Sequence, residues 1–164
     1  MTNYTQHASF YRAALLLGLI SGESVVLWAD EIIARDADAP VSVLNLAMIS
    51  PDDLSELRHA LFPLAATTES LEVVHALLGI TQRDYASKQR DTKDTVTVIR
   101  QTRSFLPLPA NYHDEIGILQ NDHMLAAANV IGDTNEVARR LSNWLAQFAG
   151  AESAFLKENV CQDG

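Results

Sequence analysis

Apolar residues recur at spacings of three and four along most of the chain, and no stretch sustains the alternation of a half-buried strand. On that period the first helix runs from Tyr4 to Leu19, with Tyr11, Ala14, Leu15 and Gly18 on one stripe. Ser21-Gly22 interrupts the pattern, with Ser21 as N-cap. A second helix, Glu23 to Arg35, then turns Val25, Trp28, Ala29 and Ile32 inward. ARDADAP reads as a loop closed by Pro40, and VSVLNLAM as a short helix. Ser50-Pro51-Asp52-Asp53 places a cap serine, an N1 proline and first-turn carboxylates ahead of a helix carrying Leu54, Leu57, His59, Leu61 and Phe62. Pro63 strains or ends that helix.

Thr67-Thr68-Glu69 opens the next helix, with Leu71, Val74, His75 and Leu78 as its buried row. Gly79 leaves open whether it breaks there or continues to Arg90. DTVTVIRQTR carries the β-branched run Thr95 to Ile99, which suits a strand, but no partner strand is visible and a helix is expected over 92–103. Leu106-Pro107-Leu108-Pro109 is loop. A helix from about Asn111 to Val130 ends at Gly132, and Asp133-Thr134-Asn135-Glu136 has the spacing of a capping box. Val137, Leu141, Trp144, Leu145 and Phe148 follow on one face until Gly150. The expected fold class is all-α, a single compact bundle of seven or eight short helices. One domain spans 1–150, and 151–164 is a flexible or loosely docked tail.

At 164 residues the chain is long enough to bury a core without covalent staples. Its longest apolar run, Ala13 to Ile20, is far short of a membrane span, and MTNYTQHASFYR lacks the basic and apolar regions of a secretory signal. The one cysteine, Cys161, excludes an intrachain disulfide framework, which fits a reducing cytoplasm.

Charge changes the picture more than composition does. Met1 to Leu64 holds eight carboxylates against three basic residues, Ala65 to Ala110 five against six, and Asn111 to Gly164 eight against three. An acidic surface repels phosphates, so nucleic acid is an unfavourable partner and a basic protein a favourable one. Some of the carboxylates lie at helix starts, where they serve the macrodipole. Those that capping leaves over cluster at 30–38 and 114–122.

Candidate chemistry is sparse. No GxSxG, Walker A, GxGxxG or HExxH string is present, so no catalytic residue, metal ligand or cofactor is expected. His113 and His123 lie ten residues apart on one helix, facing about 80° apart, and His123, His59 and His75 read as partly buried structural histidines. Tyr112-His113-Asp114-Glu115 points in four directions and reads as an acidic first turn. Arg83, Lys88, Arg90, Lys93, Arg100 and Arg103 alternate with Asp84, Asp91 and Asp94, a mixed helical face with local ion pairs. Trp28 and Trp144 fall on inward stripes, whereas Tyr85, Phe105 and Tyr112 are the aromatics expected at the surface.

YRAALLLGLISGESVVLWADEIIAR and GDTNEVARRLSNWLAQF together resemble the two ends of a group of small helical bacterial proteins, similar in size and acidity to the immunity proteins encoded beside antagonistic toxins. The resemblance implies a non-enzymatic module that neutralises a cognate toxin in the cytoplasm. Caps and core positions carry it, so the contact residues come from the charge layout instead: Asp30, Glu31, Asp36, Asp38, Asp114, Glu115 and Asp122, with Tyr112 as an anchor. Two alternatives stay open. One is an adaptor or scaffold for a non-toxic partner. The other is an enzyme whose site gathers His113, Asp122, His123 and Glu31.

Overall fold

Side-chain caps at Asp53, Ser70, Asp91 and Asp133 set four of the helix starts. A computed structural model describes residues 4–66 and 70–158, and among these it contains nine α-helices and no strand. Contacts within the chain gather into two compact units, Met1–Glu69 and Ser70–Gly164, where one domain over 1–150 was expected.

The first unit contains α1 (Tyr4–Leu16), α2 (Gly22–Arg35), α3 (Val41–Ala47) and α4 (Leu54–Leu61). Its core joins Ala8 and Leu15 of α1, Val25, Trp28, Ala29 and Ile32 of α2, Val43 and Leu46 of α3, and Leu57 and Leu61 of α4. Tyr11 stacks on Trp28 with ring centroids 4.9 Å apart. The inward stripe expected on α2 is therefore the buried one. Helix α1 stops three residues before the expected Leu19, in a left-handed turn at Gly18 with φ of +65°. The Leu19 amide donates to the Ala14 carbonyl and the Gly18 amide to Leu15, the pairing of a Schellman cap. Helix α4 starts later than expected, at Leu54, because Asp53 rather than Ser50 is the cap and accepts from the Glu56 amide at 2.9 Å. Residues 50–53 are thereby released from the helix. The Pro51 carbonyl instead lies against the Gly22 backbone, so close that a Cβ on Gly22 would sit 2.0 Å from its oxygen.

The second unit contains α5 (Leu71–Ala86), α6 (Thr92–Phe105), α7 (Ala110–Ala127), α8 (Thr134–Ala146) and α9 (Ala151–Glu158). Helix α5 is buried over most of its length, with Val73, Val74, Leu77, Leu78 and Ile80 inside, and it packs on α6, α8 and α9. Ser70 caps it, since the Val73 amide donates to the Ser70 hydroxyl; the start expected at Thr67 to Glu69 lies outside the described residues. Gly79 continues the helix rather than breaking it. A Cβ there would be 2.9 Å from the Glu152 amide nitrogen, so the missing side chain is what lets the start of α9 approach. Residues 151–158 are thus a packed helix with Phe155 buried, not a loose tail. Cys161 lies outside the described residues.

The ambiguous segment is helix α6. Asp91 caps it through the Asp94 amide, and the Thr95, Thr97 and Thr102 hydroxyls donate to carbonyls four residues back. Those bonds satisfy the threonines within a helix and remove the advantage of a strand.

Helices α5 and α7 end in Schellman caps with no glycine at the left-handed position, which Lys88 (φ 59°) and Asn129 (φ 55°) occupy. Asparagine tolerates that conformation; lysine pays for its Cβ. Lys88→Gly is expected to raise stability by about 0.5–1 kcal/mol, part of the relief being offset by the freer unfolded chain, as read by denaturant unfolding.

Candidate functional site

The expected contact carboxylates divide between the two units. Asp30, Glu31, Asp36 and Asp38 belong to the first; Tyr112, Asp114, Glu115 and Asp122 to the second.

In the first unit, Asp30 and Glu31 stand exposed in the C-terminal half of α2, where they cap nothing and where the macrodipole gives a carboxylate no help. Glu31 meets Arg35 one turn on at 3.3 Å, with both side chains largely in solvent, an ion pair worth a few tenths of a kcal/mol. Asp38 is exposed on the following loop. Asp36 is committed differently. It accepts the Tyr4 hydroxyl at 2.6 Å and the Asp38 amide at 3.0 Å, fastening the end of α2 to the start of α1. The Tyr4 bond, then the Asp38 amide, holds its carboxyl below the usual aspartate value, against a smaller opposing effect of burial. A depressed folded value means this tie contributes stability above the unfolded aspartate pKa of about 4, and loses it as pH falls through the folded value. In Tyr4→Phe the Asp36 titration, followed by carboxyl NMR, should move up toward the ordinary value.

The second unit gathers its residues around aromatic rings. Tyr112, expected as an exposed anchor, is half-buried: its hydroxyl lies 3.0 Å from His75 Nε2, and its ring meets Trp144 and Phe148 edge-on. Tyr85 is likewise half-buried, its hydroxyl 3.1 Å from Thr92 Oγ1, so of the three aromatics expected outside only Phe105 is exposed. Trp144 is half-exposed rather than core, and its indole N–H donates to Glu115. Asp114 is exposed. Asp122 is held by Arg140 at 2.8 Å, and Arg140 also reaches Glu136 at 3.0 Å, which engages the glutamate of the expected capping box with an arginine. Asp133 caps α8 through the Asn135 amide.

Three of the six basic residues of the middle segment are engaged inside this unit. Arg83 pairs with Glu152 of α9, Arg90 with the buried Asp84 at 3.3 Å, and Arg103 donates to His113 Nδ1 at 2.6 Å. Asp84 shows no special mark in the sequence, yet it is buried between two arginines at the end of α5.

Within the second unit, His113, Asp122 and His123 of the dispersed-enzyme alternative do not converge on one point. His113 and Asp122 serve different arginines, and His113 and His123 are about 15 Å apart along α7 at the normal helix rise. Glu31 belongs to the other unit. Of the histidines read as partly buried, His75 and His123 are, while His59 is exposed. Among the described residues no group of three His, Cys, Asp or Glu is placed to hold a metal ion, and no helix is long and apolar enough to cross a membrane.

Each unit also has surface hollows. One of about 650 Å³, between α1 and α4, is lined by Arg12, Leu16, Arg58, His59 and Phe62 among others, with the Arg12 guanidinium 4.8 Å above the Phe62 ring. In the second unit, one of about 470 Å³ lies beside Tyr85, Lys88 and Arg90, and one of about 240 Å³ has the Asp122–Arg140–Glu136 network on its wall.

The unit boundary redistributes the charge. The first unit carries nine carboxylates against three basic residues, a balance of −6 over 69 residues; the second carries twelve against nine, a balance of −3 over 95. The acid–base–acid order along the chain thus becomes one strongly acidic unit and one nearly compensated unit.

Neither a family model, a curated protein nor a solved structure matches this chain.

Proposed function

We propose that the chain is a non-enzymatic protein-binding module, an immunity protein that neutralises a cognate bacterial toxin in the cytoplasm by covering a basic surface of it. The observation that carries this reading is the excess of carboxylates in the first unit, where Asp30, Glu31 and Asp38 lie exposed and cap no helix. Crowding like charges on one small unit costs folding free energy. A charge kept at that cost has a physical use in drawing a basic partner into the right encounter, which raises the association rate more than it deepens the final affinity. Toxins acting on nucleic acids or nucleotides have basic clefts, and an acidic surface seated there would exclude the anionic substrate.

The test is co-expression with the product of the neighbouring open reading frame, read as rescue of growth and as a complex isolated from the same cells. A partner that is not toxic alone would instead favour the adaptor reading. Neither rescue nor complex would sink both. Where a complex forms, the triple variant Asp30→Asn, Glu31→Gln, Asp38→Asn should slow association at low salt by roughly tenfold, with dissociation little changed. Stopped-flow mixing over a range of salt concentrations measures both.

A further inference from the structure

Helix α3 is apolar on both sides. Of the eight residues from Val41 to Met48 only Ser42 and Asn45 are polar. Val43 and Leu46 point into the core and are fully buried, as one apolar stripe of a surface helix should be. The opposite stripe should then be polar, and it is not. Val41, Leu44 and Met48 follow at i, i+3 and i+7 and are exposed by 69%, 39% and 85%. A helix that is hydrophobic all round is normally covered on all sides. Leaving three such side chains in water forgoes stabilisation that a covering surface would supply.

We infer that this stripe docks a basic amphipathic helix of the partner. The inference rests on the proposed binding of a basic protein and names the face and the kind of segment that would meet it. Charge selects this occupant over the others. The loop leading into α3 carries Asp36 and Asp38, and the unit as a whole stands at −6. A second copy would bring the same −6 against itself, and an anionic lipid surface would be repelled. A helix with lysine or arginine flanking an apolar row satisfies both the stripe and the carboxylates. Its ridge of side chains would lie along Val41, Leu44 and Met48 as helices pack in cores, and its basic edge would face the exposed Asp38.

The chain supplies its own reporters. Its methionines are Met1, Met48 and Met124, and Met124, 60% exposed on α7, belongs to the other unit. The probe is a leucine–lysine peptide of about five helical turns with its leucines on one face. Controls are the same composition scrambled to remove the face, and a leucine–glutamate peptide. In protein labelled at the methionine methyls, titration with the amphipathic peptide should shift the Met48 signal and leave Met124 in place. Met48→Asp and Leu44→Ser should each weaken that binding roughly tenfold, with helical content unchanged because both sites face solvent.

Several results would overturn the inference: equal affinity in both variants, movement of Met124 instead of Met48, or binding to vesicles of zwitterionic lipid. So would concentration-dependent self-association of the chain alone that Met48→Asp abolishes. Salt-dependent binding of both lysine peptides with Met48 unmoved would remove the α3 face while leaving an acidic binding module standing. If neither lysine peptide binds at low salt, the broader reading falls with it.

Discussion

Gly22→Ala is expected to cost about 3 kcal/mol, at the upper end of what overpacking a folded interior does. The new Cβ would lie 2.0 Å from the Pro51 carbonyl oxygen, 2.9 Å from its carbon and 2.7 Å from Leu57 Cδ1. The leucine methyl can rotate away; the carbonyl is held, because the 50–53 turn is closed by the Asp53 amide donating to the Ser50 carbonyl and runs directly into the Asp53 cap of α4. The strain therefore spreads into the start of α2 or the turn before α4. Gly18→Ala provides the contrast. Nothing lies within 4 Å of the point a Cβ would occupy there, and the cost comes only from a φ of +65°, about 1 kcal/mol. Denaturant unfolding of the two variants should rank them in that order, and amide exchange should show the Gly22 effect concentrated in α2 and α4. Equal costs would mean the Pro51 turn yields freely.

Phe148→Ala should cost about 3–5 kcal/mol in the second unit. Phe148 is 3% exposed and sits among three other rings, with centroids 5.5 Å from His75, 5.6 Å from Tyr112 and 5.2 Å from Trp144. Its carbonyl also accepts the Ala151 amide at the start of α9. Truncation would leave a cavity bounded by His75 and Tyr112, whose mutual hydrogen bond holds them in place and limits collapse. Phe148→Leu keeps most of the volume and should lose much less, which separates the cavity from the aromatic contacts. Fluorine-labelled tryptophan resolves the two units in one experiment, Trp144 reporting the cluster and Trp28 the first unit. A truncation that shifts Trp28 as much as Trp144 would contradict a local role.

The two experiments rest on features of different legibility. The Val137, Leu141, Leu145 and Phe148 row is written plainly in the sequence and is buried as expected. That Trp144 turns out to Glu115 and that His75 and Tyr112 close on Phe148 is not written there, because it depends on how α5, α7 and α8 pack. The importance of Gly22 is equally hidden. A Ser-Gly pair looks like a helix break, and only the return of Pro51 shows why a side chain is forbidden.

Helix starts and helix ends show the same division. Asp91 and Asp133 stand where their helices begin, since a capping side chain acts on amides two or three residues away; Ser21 stands at the start of α2 by position alone, its hydroxyl meeting Ser24 instead of a backbone amide. Where two acceptors compete within one turn, as Ser50 and Asp53 do, the local pattern does not choose between them. The apolar period runs on past the true ends of α1 and α7, to Leu19 and Val130. A Schellman cap needs only a left-handed residue, and Asn129 and Lys88 supply one without the glycine that would announce it.

By itself the sequence determined the helical period, the inward stripes, the caps and the acidity, all properties of residues within a few positions of one another. The tertiary structure decided the division at Glu69, the docking of α9, and which charges cancel. Arg83 finds Glu152 sixty-nine residues away, and Arg140 finds Asp122 across a helical hairpin. Opposite charges meet by packing rather than by order along the chain. The larger share of the negative charge therefore lies on the first unit, beside an α3 whose outer face the hydrophobic pattern alone would have placed in a core.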